Sequence, residues 1–125
     1  MTASSLYERL GGERGIALLV DDIVAAHMQN PSIQARFLPY AEDPDHLEEV
    51  KGHLRNFLSA GGGGPHEYHG RSMPETHRGM NISEAEYMAA IDDILGVLDK
   101  HEIDPRTRQE MLGIAYSLKD EIMHV

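Results

Sequence analysis

Apolar positions fall at helical spacing through most of this chain. From Glu13 to about Gln29, the set Ile16, Leu19, Val20, Ile23, Val24 and His27 recurs at three- and four-residue steps, which predicts a long helix with one buried face. Ahead of it, Ser4-Ser5 can cap a short helix through Leu6–Leu10, closed by Gly11-Gly12. Asn30-Pro31-Ser32 ends the long helix, and Ser32 is expected to cap a short one finishing near Phe37-Leu38-Pro39. Asp43-Pro44-Asp45 opens the next helix, with proline in the first turn and acids at the positive end of the dipole. Its buried face reads Leu47, Val50, Leu54, Phe57 and Leu58. His46 and His53, seven residues apart, flank that stripe.

The stretch Gly61–Met80, GGGGPHEYHGRSMPETHRGM, breaks the pattern. Four glycines and two prolines oppose a regular element across all of it. Long irregular connections in compact domains are uncommon unless they do a job. Ser83-Glu84-Ala85-Glu86 then reads as a capping box, followed by an apolar stripe of Tyr87, Ala90, Ile91, Ile94, Leu95 and Leu98. After the connector His101–Asp104, Pro105 starts a final helix carrying Met111, Leu112, Ile114, Ala115, Leu118 and Ile122. No strand-like alternation occurs. The expectation is an all-α fold of four substantial helices in two antiparallel pairs, with an irregular loop between the pairs.

Composition narrows the class. The 125 residues suit one domain, spanning 1–125, with one hydrophobic core. A net charge of −10 argues against nucleic acid or an anionic membrane as partner. The chain has no cysteine, which removes disulfides, iron–sulfur clusters and thiol catalysis. No apolar run approaches the roughly 20 residues that span a bilayer. The start, MTASSLYERLGG, lacks a secretory pattern, so a cytoplasmic protein is expected.

Histidines carry the candidate chemistry. His77 sits just before Arg78-Gly79, with Met73 and Pro74 upstream, a setting that could hold one imidazole in a fixed pose. Two helix pairs with a loop-borne histidine could grip a flat macrocycle, since haem iron is commonly held by one axial imidazole. A surface histidine beside a turn accounts for the same residues. His66 and His69 with His77 would make a zinc site only with a fourth ligand, and none is evident. His46, His101 and His124 read as surface residues, and the pairs Asp21-Asp22 and Asp92-Asp93 as helix surface.

Taken together, LYERLGG, the loop GGPHEYHGRSM, His77 and the following GMNISEAEY resemble the group I truncated haemoglobins. The resemblance runs from about Leu6 to Ile122 in the family's order. It implies a two-over-two helical sandwich and a b-type haem whose iron is bound by His77. It further implies that Met73, Ile82, Tyr87 and Ala115 lie near the porphyrin, that Phe37 stacks against it, and that His69 or Arg71 sits near a propionate. Leu118 stands where one relative has a histidine bonded to the haem vinyl group, so non-covalent haem is expected.

The distal side departs from the family pattern. Val24, preceded by Ile23, stands where many members have a tyrosine, and Val50 and Leu54 stand where polar residues often face the ligand. Loss of those donors removes electrostatic support for bound oxygen and should ease autoxidation. His53, one turn before Phe57, has two readings: a second axial ligand to iron, or an outward residue pairing with a propionate. His27 is a weaker distal candidate, more simply a packed helix residue.

The resemblance implies reversible binding of oxygen, nitric oxide or carbon monoxide. Conversion of nitric oxide to nitrate could follow, with an external reductase restoring the iron. The alternative is a six-coordinate bis-histidine haem protein for electron transfer or redox sensing. Peroxidase-like chemistry or a haem-free helical module ranks third.

Overall fold

The computed structural model describes residues 5–64 and 78–123. Seven helices lie in these segments: α1 (Leu6–Arg9), α2 (Gly12–Gln29), α3 (Gln34–Ala41), α4 (Pro44–Gly61), α5 (Glu84–Lys100), α6 (Pro105–Ser117) and α7 (Lys119–Ile122). Among the described residues there is no strand, and the sole extended pairing is an isolated bridge between Ile82 and Met123. The all-α expectation holds.

The start signals act as their chemistry requires. Ser5 Oγ accepts the Glu8 amide, Asp43 accepts the His46 amide, and Asp104 accepts the Thr107 amide, each satisfying an otherwise orphaned donor. At α5, Ser83 and Glu86 form the full reciprocal capping box.

Helix α2 is the centre of the packing. Its buried residues are Ile16, Leu19, Val20, Ile23, Val24 and His27, the six positions at which the periodicity placed its inner face. Full burial of an apolar side chain is worth about 1.5–3 kcal/mol. Leu10, Val97, Leu98 and Met111 complete the core on that stripe, with Leu47, Leu54 and Leu58 of α4 against its edge. A smaller cluster of Ile82, Tyr87 and Ile91 packs with Leu112, Ala115, Ile122 and Met123 beneath α5 and α6. Helix α2 contacts α1, α3, α4 and α5, and α5 in turn packs on α6.

Several expectations need correction. Ser32 does not cap α3; its amide donates to Asn30 Oδ1 in the turn, and Ile33 takes the N-cap position without a side-chain bond. Pro39 lies inside α3 instead of ending it. In a helix of eight residues its cost is one intrahelical bond, and Ala35, whose carbonyl is freed, is exposed. The last helix is interrupted at Leu118, so α7 is a separate turn. Ile114 is exposed, whereas Val97, outside the expected stripe, is buried.

Helix α4 runs to Gly61, and its end is fixed by close approach to α1. The Tyr7 amide donates to the Gly62 carbonyl at 2.9 Å. A Cβ on Gly62 would lie 2.9 Å from the Tyr7 nitrogen and 3.0 Å from the Leu58 oxygen, both backbone atoms that cannot swing aside. Gly61 has nothing within 4 Å of such a Cβ. Gly62→Ala should therefore destabilise the fold by about 1–3 kcal/mol, as overpacking does. Gly61→Ala, beside it, should be neutral or stabilising by up to about 1 kcal/mol. Urea unfolding of the two variants measures the contrast, and equal midpoints would refute the steric account.

Candidate functional site

Two apolar surfaces can be distinguished. On one, α4 presents Leu47, Val50, Leu54, Phe57 and Leu58, yet none is fully covered, and the one buried residue of this helix is Ser59. Phe37 on α3 is likewise half-buried. On the other, Ile82, Tyr87 and Ala115 belong to the second cluster, where the Tyr87 hydroxyl donates to the Ala115 carbonyl and ties α5 to α6. Burial pushes the Tyr87 phenol above its ordinary range, so it remains a neutral donor. Helix α4 packs on α1, α2 and α3, and among the described residues it makes no substantial contact with α5 or α6. An apolar stripe only half covered by protein, distinct from the second apolar cluster, fits contact with a further apolar group.

Polar groups sit at the margins of these faces. His27 Nδ1 lies 2.8 Å from Asp93 Oδ2, and Asn30 Nδ2 donates to both Asp93 oxygens at 3.0 and 3.1 Å. The His27 ring contacts the Phe37 ring with centroids 5.2 Å apart. This corrects the surface reading of Asp93: a histidine on a buried stripe needs a partner, and the carboxylate on the neighbouring helix supplies it. That demand was the available signal, since position 93 falls between the apolar Ile91 and Ile94. His101 is also not a simple surface residue. Its Nε2 lies 2.6 Å from Asp22 Oδ2, holding the Asp22 carboxyl below its usual range with help from Lys100.

Arg36, which the pattern did not single out, makes a denser set of contacts. Its Nε donates to Glu86 Oε2, and its Nη2 donates to Glu86 Oε1 at 3.1 Å and to the Met80 carbonyl at 2.9 Å. Glu86 also accepts the Ser83 amide in the capping box. The Arg36 bonds, foremost, and the Ser83 amide hold the Glu86 carboxyl down at about 2.

His53 is exposed, at 55% of its side chain, with Nε2 3.8 Å from Glu49 Oε1. Val50 and Leu54 lie on the half-buried side of the same helix. Phe57 lines an apolar pocket of about 80 Å³ with Leu6, Leu58, Met111 and Leu118. Arg71, Met73 and His77 lie outside the described residues, as do His66, His69 and His124. Among the described residues no group of histidines and carboxylates could hold a metal ion.

A sequence model of the bacterial-like globin family matches residues 5–124, and the chain belongs to that family. A group 1 truncated haemoglobin of Tetrahymena pyriformis is 29% identical over 120 residues, covering 87% of this chain and 95% of the relative. One from Synechocystis is 28% identical over 116 residues, covering 90% of each. Among solved structures, the Fe(III) form of the Tetrahymena pyriformis protein aligns with TM-score 0.86 at 23% identity, over 98% of this chain and all of that one. A group II truncated haemoglobin from Bacillus anthracis aligns with TM-score 0.84 at 22% identity, over 100% and 95% of the two chains. The fold is therefore the two-over-two sandwich that the resemblance implied. Membership of a globin family implies haem and a gaseous ligand.

Two outcomes follow from the polar margin. Asp93→Ala leaves the His27 and Asn30 donors without their acceptor in a largely buried place, and should cost about 1–3 kcal/mol in urea unfolding. Glu86 has its folded pKa of about 2 below its ordinary 4.5, so its contribution is present above pH 4.5 and is lost as pH falls towards 2. The stability advantage of the native chain over Glu86→Gln should shrink through that window. A difference independent of pH would contradict the assignment.

Proposed function

We propose that this chain is a single-domain b-type haem protein that binds oxygen or nitric oxide at an iron held by His77. The observation carrying this reading is the incompletely covered stripe of α4, with Val50, Leu54 and Phe57, separated from the Ile82–Tyr87–Ala115 cluster. The haem iron supplies the place where the gas binds. The chain's own residues would enclose the group: Phe37 would stack on it, Ile82, Tyr87, Ala115 and Met73 would line it, and His69 or Arg71 would sit near a propionate. Leu118 in place of a reactive imidazole supports non-covalent attachment, although a Synechococcus relative of the same fold has covalently attached haem. Conversion of nitric oxide to nitrate is the further activity that such a site supports, with a separate reductase restoring the iron. Carbon monoxide is expected to bind as well.

The second reading, a bis-histidine haem, rests on His53. Its exposure and its position near Glu49 favour the outward pose, in which it pairs with a propionate. Ligation would require the side chain to turn across α4 and give up that contact.

Ferric and ferrous absorption spectra after haem reconstitution test both readings. A Soret band is expected in the native chain, and its loss in His77→Ala; retained haem with an unaltered spectrum in that variant would count against His77. Because haem contacts are linked to folding, His77→Ala should also lower the melting temperature of the reconstituted protein. His53→Leu is expected to leave the spin state unchanged. A low-spin ferric protein turned high-spin by that substitution would instead establish the bis-histidine form.

A further inference from the structure

We infer that Arg36 is a positioning residue that fixes the spacing between the two sides of the site, by clamping the α3 segment bearing Phe37 to the Met80–Glu86 segment that follows His77. The inference rests on the haem reading, in which Phe37 and His77 both touch the porphyrin. Arg36 is adjacent in sequence to Phe37, and Met80 lies three residues after His77. The guanidinium spans the distance with a fork on the Glu86 carboxylate and a third bond to the Met80 carbonyl. A planar fork fixes direction as well as distance, which a lysine ammonium does not.

The segment it grips is held at several points. Gly79 and Asn81 adopt left-handed backbone angles, φ 84° and 48°, so the chain makes a defined turn between them. Ile82 is buried and bridged to Met123. Ser83 and Glu86 close the capping box. These contacts fix the segment to α5 and the C-terminal helices. Arg36 is what extends that fixation to α3, because its bonds run to residues 44 and 50 positions away in sequence. The Arg36 and Glu86 side chains are 29% and 23% exposed, sheltered enough to keep the pair from being fully screened by solvent. Glu86 stays ionised to about pH 2, so the clamp persists at any physiological pH.

The test uses the full chain reconstituted with haem. Arg36→Ala and Glu86→Gln are expected to speed haem transfer to an excess of apomyoglobin about ten-fold or more, the scale of a lost charge-assisted bond. Both should shift the iron–histidine stretching band of the ferrous protein in resonance Raman spectra. Arg36→Lys keeps the charge and loses the fork, so it provides a milder variant in which the same band shift is expected even where Arg36→Ala folds poorly. Arg55→Ala, which breaks an exposed pair with Glu48 on α4, serves as the control and should leave the band and transfer rate unchanged. A native band and transfer rate in Arg36→Lys and Glu86→Gln would overturn the inference. A lowered urea midpoint with an unmoved band would overturn it too, since that is what a merely structural ion pair does. A native chain without a Soret band would end the haem reading and the clamp together, whereas a normal native spectrum with an unmoved variant band ends the clamp alone.

Discussion

The packing of α1, α3, α4 and α5 against the single helix α2 is the constraint on which the rest of the structure depends. One helix has room for a limited number of neighbours, and α2 serves four of them, with α4 and α5 both resting on it. Helix α4 leaves Val50 and Phe57 half-buried, while Ile82, Tyr87 and Ile91 are buried against α6 and the C-terminal turn.

That arrangement needs its outer elements pinned, because an uncovered stripe gives α4 less packing energy to hold its angle. The pin at its C-terminal end is backbone on backbone: the Tyr7 amide reaches the Gly62 carbonyl, and no side chain can intervene at Gly62. The other pins are charged. Arg9 spans from α1 to Thr107 and Glu110 on α6, and Arg36 spans from α3 to Glu86 on α5. Both ties use an arginine guanidinium that reaches two acceptor residues on a distant part of the chain. Electrostatic ties of this kind add direction where hydrophobic contact alone is non-directional.

What could be read from the chain follows from the range over which each signal acts. The six buried positions of α2 were legible because helical periodicity reports burial directly when one face is packed throughout. The caps at Ser5, Asp43 and Ser83 were legible because their partners lie three residues away. Tertiary polar contacts carried no such short-range signal, only the general demand of a buried polar group for a partner. Arg36 and Glu86 are 50 residues apart, His27 and Asp93 are 66 apart, and no local pattern relates them. Helix α4 shows the intermediate case. Its stripe was visible, but periodicity cannot tell a face covered by protein from one covered by something else, and the expected burial of Val50 and Phe57 is therefore incomplete. The site was legible chiefly through the family resemblance, whose central residue, His77, falls outside the described segments.

The polar groups also bear on what the proposed site could select. His27 commits Nδ1 to Asp93, and Asp93 is further engaged by Asn30, so the carboxylate's two oxygens are accounted for by neighbours on α2 and its exit turn. A carboxylate satisfied in this way stabilises the helix junction and is not available to reorganise around a ligand. Ile23 and Val24 are buried on the inner face of α2, and Val50 and Leu54 lie on the half-buried side of α4. On the proposed reading, a gas bound there meets mainly methyl groups. Discrimination among diatomic ligands would then arise from shape and iron affinity more than from hydrogen bonding, because hydrogen-bond selection requires a donor that gains more from the polar ligand than from its existing partner. Moving a donor into that face, for example Val24→Tyr or Leu54→Gln, should slow autoxidation of the oxygenated protein. An unchanged rate in both variants would mean that electrostatic support at this face does not govern the lifetime of bound oxygen.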